Sequence, residues 1–96
     1  MRVHEILAAW AATKPTIVAI YVFGSRARGT AEPWSDLDLA VKLDPGNGAE
    51  IEEELIRNSR AWRAELSSLT HLTIGPFCLH DNPIVPNEAI VVYRRK

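Results

Sequence analysis

Apolar side chains recur along the chain with two periods, one typical of helices and one typical of buried strands. Helical spacing defines two segments, and continuous runs rich in β-branched residues define four. The helices are predicted over residues 3–13 and 50–66, and the strands over residues 17–23, 37–43, 69–74 and 90–93. The order helix, strand, strand, helix, strand, strand is that of a small α+β domain built on one sheet.

Proline and glycine clusters mark the connections between these elements. Residues 26–35 are polar and rich in small side chains, which predicts a short helical turn followed by a loop. Residues 44–48 combine Asp, Pro, Gly and Asn, and they predict the turn that closes the second strand. Gly75-Pro76 is expected to bend the chain, which leaves residues 77–79 as a short extended or irregular piece.

Length, charge and cysteine content narrow the class of protein. A chain of 96 residues is expected to be one domain, residues 1–96, because cores usually belong to domains of about 100–150 residues. The net charge is −1 and both signs are spread along the chain, so no strong direct binding to nucleic acid is expected. The single cysteine, Cys78, excludes an internal disulfide and a cysteine-based metal site. No apolar run approaches the roughly 18–20 residues that span a bilayer, so a cytoplasmic protein without membrane contact is expected.

Two aspartates stand at the start of the second predicted strand. Because strand side chains alternate between faces, Asp36 and Asp38 are expected on one face, while Leu37 and Leu39 point into the core. Carboxylates held side by side repel each other, and a divalent cation between them removes that penalty. Carboxylate oxygens are ligands that Mg²⁺ prefers, so the pair predicts a magnesium site.

A candidate phosphate site lies between the first strand and the predicted helical turn. Gly24 would let a phosphate approach the backbone closely, and the Ser25 hydroxyl with the N–H groups of the turn could hold a phosphate oxygen. Arg26 and Arg28 would add positive charge at the same phosphates. Phosphate-binding groups beside two metal-binding carboxylates are the machinery of in-line displacement at phosphorus.

The spacing of these groups resembles the nucleotidyltransferase signature of the DNA polymerase beta superfamily. In that signature Gly-Ser is followed by ten residues and then by Asp-x-Asp. Here residues 26–35 separate Gly24 and Ser25 from the pair Asp36 and Asp38, which is a full match. The resemblance implies that Gly24 and Ser25 hold the phosphates and that Asp36 and Asp38 bind the metal and serve in catalysis.

The Arg28-Gly29 and Ser35-Asp36 pairs, together with the chain length, look like the minimal nucleotidyltransferases within that superfamily. This resemblance implies a small mixed β-sheet flanked by helices. It also implies Mg²⁺-dependent use of a nucleoside triphosphate, with ATP as the substrate, and transfer of NMP to an acceptor. Minimal members are commonly antitoxins whose partner is a helical HEPN-domain ribonuclease toxin, which they bind and in some cases AMPylate on tyrosine.

The chain departs from the family pattern at one position. The family usually supplies a third carboxylate from the strand after the long helix, but the strand predicted over residues 69–74 contains no Asp or Glu. His71 or Thr73 takes that place, and His71 could serve as a general base. Two functions therefore stay open. One is an enzyme that transfers AMP to a protein hydroxyl, and the other is a catalytically degenerate relative that neutralises its partner by binding alone.

Overall fold

A computed structural model describes residues 3–44 and 51–95, in which two long helices and one short helix accompany four strands. The elements are α1 (Val3–Ala12), β1 (Ile17–Phe23), α2 (Ser25–Arg28), β2 (Leu37–Leu43), α3 (Ile51–Thr70), β3 (Ile74–Leu79) and β4 (Ile90–Arg94). The expected α+β class is confirmed, and the boundaries predicted for β1 and β2 agree with the structure. The predicted start of the long helix at Glu50 and most of the turn at residues 44–48 lie outside the described residues.

The four strands form one mixed sheet in the order β3-β2-β1-β4. β1 pairs antiparallel with both β2 and β4, whereas β2 and β3 run parallel. Both long helices contribute to a single apolar core, in which the rings of Trp10 on α1 and Trp62 on α3 meet edge to face at 5.8 Å. No helix within the described ranges is long and apolar enough to cross a bilayer.

The strand predicted over residues 69–74 is wrong, because α3 continues to Thr70 and β3 begins only at Ile74. Leu66 and Thr70 are both buried, so the inward face of the helix extends one turn beyond the predicted end. The Thr70 hydroxyl donates a hydrogen bond of 2.7 Å to the Leu66 carbonyl, so this buried polar group has a partner within the helix. His71 then leaves the helix with φ of 60°.

Gly75-Pro76 does not end an element, since both residues lie inside β3, although the register with β2 is irregular at these two residues. A proline removes a ladder hydrogen bond and is tolerated in edge strands. β3 is an edge strand that pairs with β2 alone, and Pro76 is exposed. The extended piece expected at residues 77–79 is the second half of β3, where the strand pairs in regular register with Leu39, Ala40 and Val41 of β2.

Glu65 on α3 joins the two long helices at the surface. Its Oε1 accepts a hydrogen bond of 2.9 Å from Trp10 Nε1 and lies 2.9 Å from Lys14 Nζ. The hydrogen bonds from Lys14 and Trp10 lower the pKa of Glu65 below its ordinary value of 4.5. The stability that this carboxylate contributes is therefore present above about pH 4.5 and is lost as the pH falls through its folded-state pKa.

We expect Glu65→Gln to reduce the acid sensitivity of the fold. A neutral amide oxygen still accepts hydrogen bonds but has no proton equilibrium, so this part of the stability change on acidification disappears. The melting temperature, measured from about pH 6 to about pH 3, should fall less steeply in the variant than in the wild type. Glu88→Gln, at an exposed position in the β3–β4 connection, serves as the control. Equal slopes for Glu65→Gln and the wild type would contradict the assignment.

Candidate active site

Asp36 and Asp38 stand on either side of Leu37 at the start of β2. Leu37 and Leu39 are fully buried in the core, whereas Asp36 is exposed and Asp38 is half-buried. Asp38 pairs with Phe23 at the end of β1, which brings the aspartates beside the Gly24 turn. Strand alternation thus places the leucines and the aspartates on opposite faces of β2.

The Asp38 carboxylate lies between two glycines on the neighbouring strands. A Cβ built on Gly24, directly after β1, would overlap Oδ2 of Asp38. A Cβ built on Gly75, in β3, would lie 2.5 Å from Oδ1 of Asp38 and 3.3 Å from Cβ of Asp36. The carboxylate therefore fills space that a side chain would occupy at either glycine. The sequence indicated Gly75 only as part of a bend and did not indicate that it belongs to this site.

The electrostatic environment disfavours a second negative charge at this position. Burial raises the pKa of Asp38, and the neighbouring charge of Asp36 raises this pKa further. The charge of Arg28 opposes both effects by lowering the pKa of Asp38, so the Arg28 guanidinium acts on this carboxylate. A bound cation would remove the repulsion between the two aspartates.

The turn from β1 into α2 requires a glycine. Gly24 has φ of 71° and ψ of −154°, a backbone conformation found almost only at glycine. α2 begins at Ser25, and the N–H groups of Ala27 and Arg28 both donate to the Gly24 carbonyl. Gly29 ends the helix with φ of 74°, and its N–H donates to the Ser25 carbonyl. Ser25 therefore begins α2 directly after the glycine that lies against Asp38.

Arg26 is predicted to bind phosphate, but in the structure its guanidinium binds the loop that precedes Asp36. Its guanidinium donates hydrogen bonds to three carbonyls of the loop before Asp36. They belong to Ser35 at 2.8 Å, Pro33 at 3.3 Å and Glu32 at 3.4 Å. The planar guanidinium thus holds the loop that leads into the aspartates, a role that the sequence pattern did not indicate.

We expect Arg26→Ala to loosen this loop. A charged donor that bonds three carbonyls contributes about 1–3 kcal/mol in favourable cases, and partial exposure places this group near the lower limit. Limited proteolysis should cut within residues 30–35 faster than in the wild type, and the melting temperature should fall slightly. Arg60→Ala removes an exposed arginine of α3 and provides the control. Unchanged cleavage in Arg26→Ala would show that the loop holds its shape without the guanidinium.

His71, the predicted general base, lies outside β3. The backbone N–H of His71 donates a hydrogen bond of 2.8 Å to the Ser67 carbonyl, and the residue is exposed directly after the end of α3. His71 therefore does not lie on the strand on which a third carboxylate was expected, and its part as a general base stays a prediction. Thr73 also precedes β3, and its carbonyl accepts a hydrogen bond of 2.9 Å from the Leu37 N–H. Within β3, Gly75 lies against the Asp38 carboxylate. Within residues 3–44 and 51–95, no group of three His, Cys, Asp or Glu side chains could hold a metal ion.

The fold and the paired carboxylates define a nucleotidyltransferase domain. The family model described as "Polymerase beta, Nucleotidyltransferase" matches residues 5–92. The chain therefore belongs to the polymerase beta nucleotidyltransferase family. No curated protein matches the chain.

Proposed function

We propose that this protein is a Mg²⁺-dependent nucleotidyltransferase that transfers AMP from ATP to a hydroxyl of a partner protein. The observation that carries the proposal is the position of Asp36 and Asp38, which lie side by side at the Gly24-Ser25 turn. Two carboxylates could bind a metal ion, and the backbone of the neighbouring glycine turn could bind phosphates, so together they suit a triphosphate with its metal ion.

The side chains present fit a magnesium ion that is bound together with nucleotide. Mg²⁺ is usually held by one or two carboxylates, with substrate phosphates and water completing its octahedron. Asp36 and Asp38 would supply the carboxylates. Burial first, and then the charge of Asp36, raise the pKa of Asp38, and a cation would remove the repulsion between the two carboxylates. When bound, the ion neutralises charge on the triphosphate and acidifies the acceptor hydroxyl.

Each remaining residue has a definite part in the proposed reaction. Gly24 presents its backbone to the phosphates, while the Asp38 carboxylate fills the space that a side chain at Gly24 would take. The Ser25 hydroxyl donates to a phosphate oxygen, and Arg28 adds positive charge. The acceptor oxygen bonds to the α-phosphorus, the bond from that phosphorus to the oxygen bridging to the β-phosphorus breaks, and pyrophosphate leaves. The acceptor proton passes to solvent, because β3 (Ile74–Leu79) contains no acidic residue that could accept it.

A HEPN-domain toxin is the partner that we propose as the acceptor, which makes this chain an antitoxin. The resemblance to minimal nucleotidyltransferases supports this choice. So does a cavity of about 460 Å³ between α3 and β3, lined on its apolar side by Leu55, Ile56, Phe77, Leu79 and Pro83. Ile56 at its edge is 75% exposed, and exposed apolar surface of this kind marks sites of protein association.

A second candidate function is neutralisation of the partner by binding alone. The observation that favours it is that the site has two carboxylates, Asp36 and Asp38. The β3 residue against Asp38 is Gly75, which supplies no third carboxylate. In this function the protein keeps the nucleotidyltransferase fold and covers the toxin without modifying it.

Calorimetric titration of the protein with ATP, in the presence of Mg²⁺ and then of EDTA, tests the nucleotide site. We expect binding with Mg²⁺ and a large loss of affinity with EDTA. Incubation of the toxin with the protein and α-³²P-labelled ATP then tests transfer, and label on a toxin tyrosine is the expected result. Binding without labelling would favour neutralisation by binding alone, and absence of ATP binding by the folded protein would contradict the proposed enzyme.

A further inference from the structure

We propose that Gly75 is a positioning residue for the Asp38 carboxylate and through it for the bound cation. This inference rests on the proposed function, since it concerns the same site. It begins from the contacts on the two sides of β2. Asp38 meets Gly24 through Oδ2 on one side and Gly75 through Oδ1 on the other.

The two glycines have different reasons to be glycine. Gly24 has a positive φ, so its backbone conformation alone excludes most side chains. Gly75 has no positive φ, and its backbone would accept other residues. A side chain at Gly75 would meet first the Asp38 carboxylate, with Oδ1 2.5 Å from the new Cβ, and then Cβ of Asp36 at 3.3 Å. The Leu37 carbonyl oxygen would lie 3.6 Å from the new Cβ, which is an ordinary van der Waals contact.

The register irregularity in β3 explains the close approach. Leu37 pairs with Ile74 and Leu39 pairs with Phe77, so two β3 residues, Gly75 and Pro76, stand opposite the single residue Asp38. An extra residue in one strand re-aims the neighbouring side chains and is common beside functional sites. Here it brings the Gly75 backbone against the carboxylate, which is then held between two main chains.

A carboxylate held in this way is ready to bind a cation without losing rotamer freedom. A Cβ at position 75 would push Oδ1 away from its place. Disturbing the groups that orient metal ligands typically lowers metal affinity by about 10–100-fold. Gly75 therefore acts on the cation through Asp38 and touches neither the nucleotide nor the reacting atoms.

Electron paramagnetic resonance of Mn²⁺, titrated into the protein with a non-hydrolysable ATP analogue, gives the first test. We expect Gly75→Ala to weaken Mn²⁺ binding by about tenfold or more. Asp81→Asn, at an exposed aspartate after β3 and outside the carboxylate pair, should bind Mn²⁺ as the wild type does. Equal Mn²⁺ affinity for Gly75→Ala and the wild type would overturn the assignment. A wild type that binds no Mn²⁺ would overturn the proposed function and leave the contact itself to the second test.

A double-mutant cycle without metal or nucleotide gives the second test, with melting temperature as the readout. Gly75→Ala should lower the melting temperature when Asp38 is present. It should cost little when added to Asp38→Ala, because the carboxylate that it displaces is gone. If Gly75→Ala does not fold alone, the double variant should fold. An equal penalty in both backgrounds, or a double variant that stays unfolded, would show that the cost arises in the backbone.

Discussion

Asp36→Asn/Asp38→Asn is expected to abolish Mg²⁺-dependent ATP binding while the protein stays folded. Asparagine keeps the shape of each side chain but removes the charges that would hold the cation, so affinity should fall by about a hundredfold or more. The melting temperature should be unchanged or higher, because the replacement removes the cost of partly burying the Asp38 charge and the repulsion between the two carboxylates. Calorimetry with Mg²⁺ and ATP measures the affinity, and circular dichroism measures the melting temperature.

Asp81→Asn is the matched control, since Asp81 is an exposed aspartate after β3 and lies outside the carboxylate pair. It should bind Mg²⁺ and ATP as the wild type does. Wild-type binding by the Asp36→Asn/Asp38→Asn variant would remove the basis of the proposed site.

The same double variant separates the two proposed functions. If transfer of AMP neutralises the toxin, Asp36→Asn/Asp38→Asn should lose both labelling and protection in an assay of toxin ribonuclease activity. If binding alone suffices, the variant should protect fully without labelling. These substitutions lie outside the cavity between α3 and β3, so the variant should bind the partner whichever of the two functions is correct.

Gly24→Ala should have the largest effect on stability among the single replacements at the site. The backbone at Gly24 has φ of 71° and ψ of −154°, a strain of about 1–3 kcal/mol for any other residue. The added Cβ would also overlap Oδ2 of Asp38, and forced repacking of this kind costs about a further 1–3 kcal/mol. We expect a total loss of about 2–6 kcal/mol in the free energy of unfolding.

Gly29→Ala separates the two contributions. Gly29 has φ of 74°, but a Cβ there would meet nothing within 4 Å. This control should therefore show only backbone strain, about 1–2 kcal/mol. Urea denaturation measures both variants, and calorimetry of the Gly24→Ala protein should also show weakened binding of Mg²⁺ and ATP. Similar losses for the two variants would mean that contact with Asp38 contributes nothing.

The apolar pattern predicted element boundaries correctly where it was typical of one kind of element. β1 and β2 are apolar runs bounded by polar turns, and both strands begin and end where the pattern predicts. The long helix was recognised from its apolar period, but its end was placed too early. Residues 69–74 contain β-branched and apolar side chains that suit either a strand or a buried helical turn. Packing of Leu66 and Thr70 against the core decided in favour of the helix.

The sequence by itself determined the α+β class, the family signature and the alternation that separates Asp36 and Asp38 from the buried leucines. These features depend on residues close together in the chain, and period and spacing record them directly. Only the tertiary structure decided that Gly75 lies against the Asp38 carboxylate, that His71 directly follows α3, and that the Thr73 carbonyl accepts a hydrogen bond from the Leu37 N–H. The contact of Gly75 with Asp38 joins strands far apart in sequence through an extra residue in β3, and the local apolar pattern does not indicate where such a residue lies.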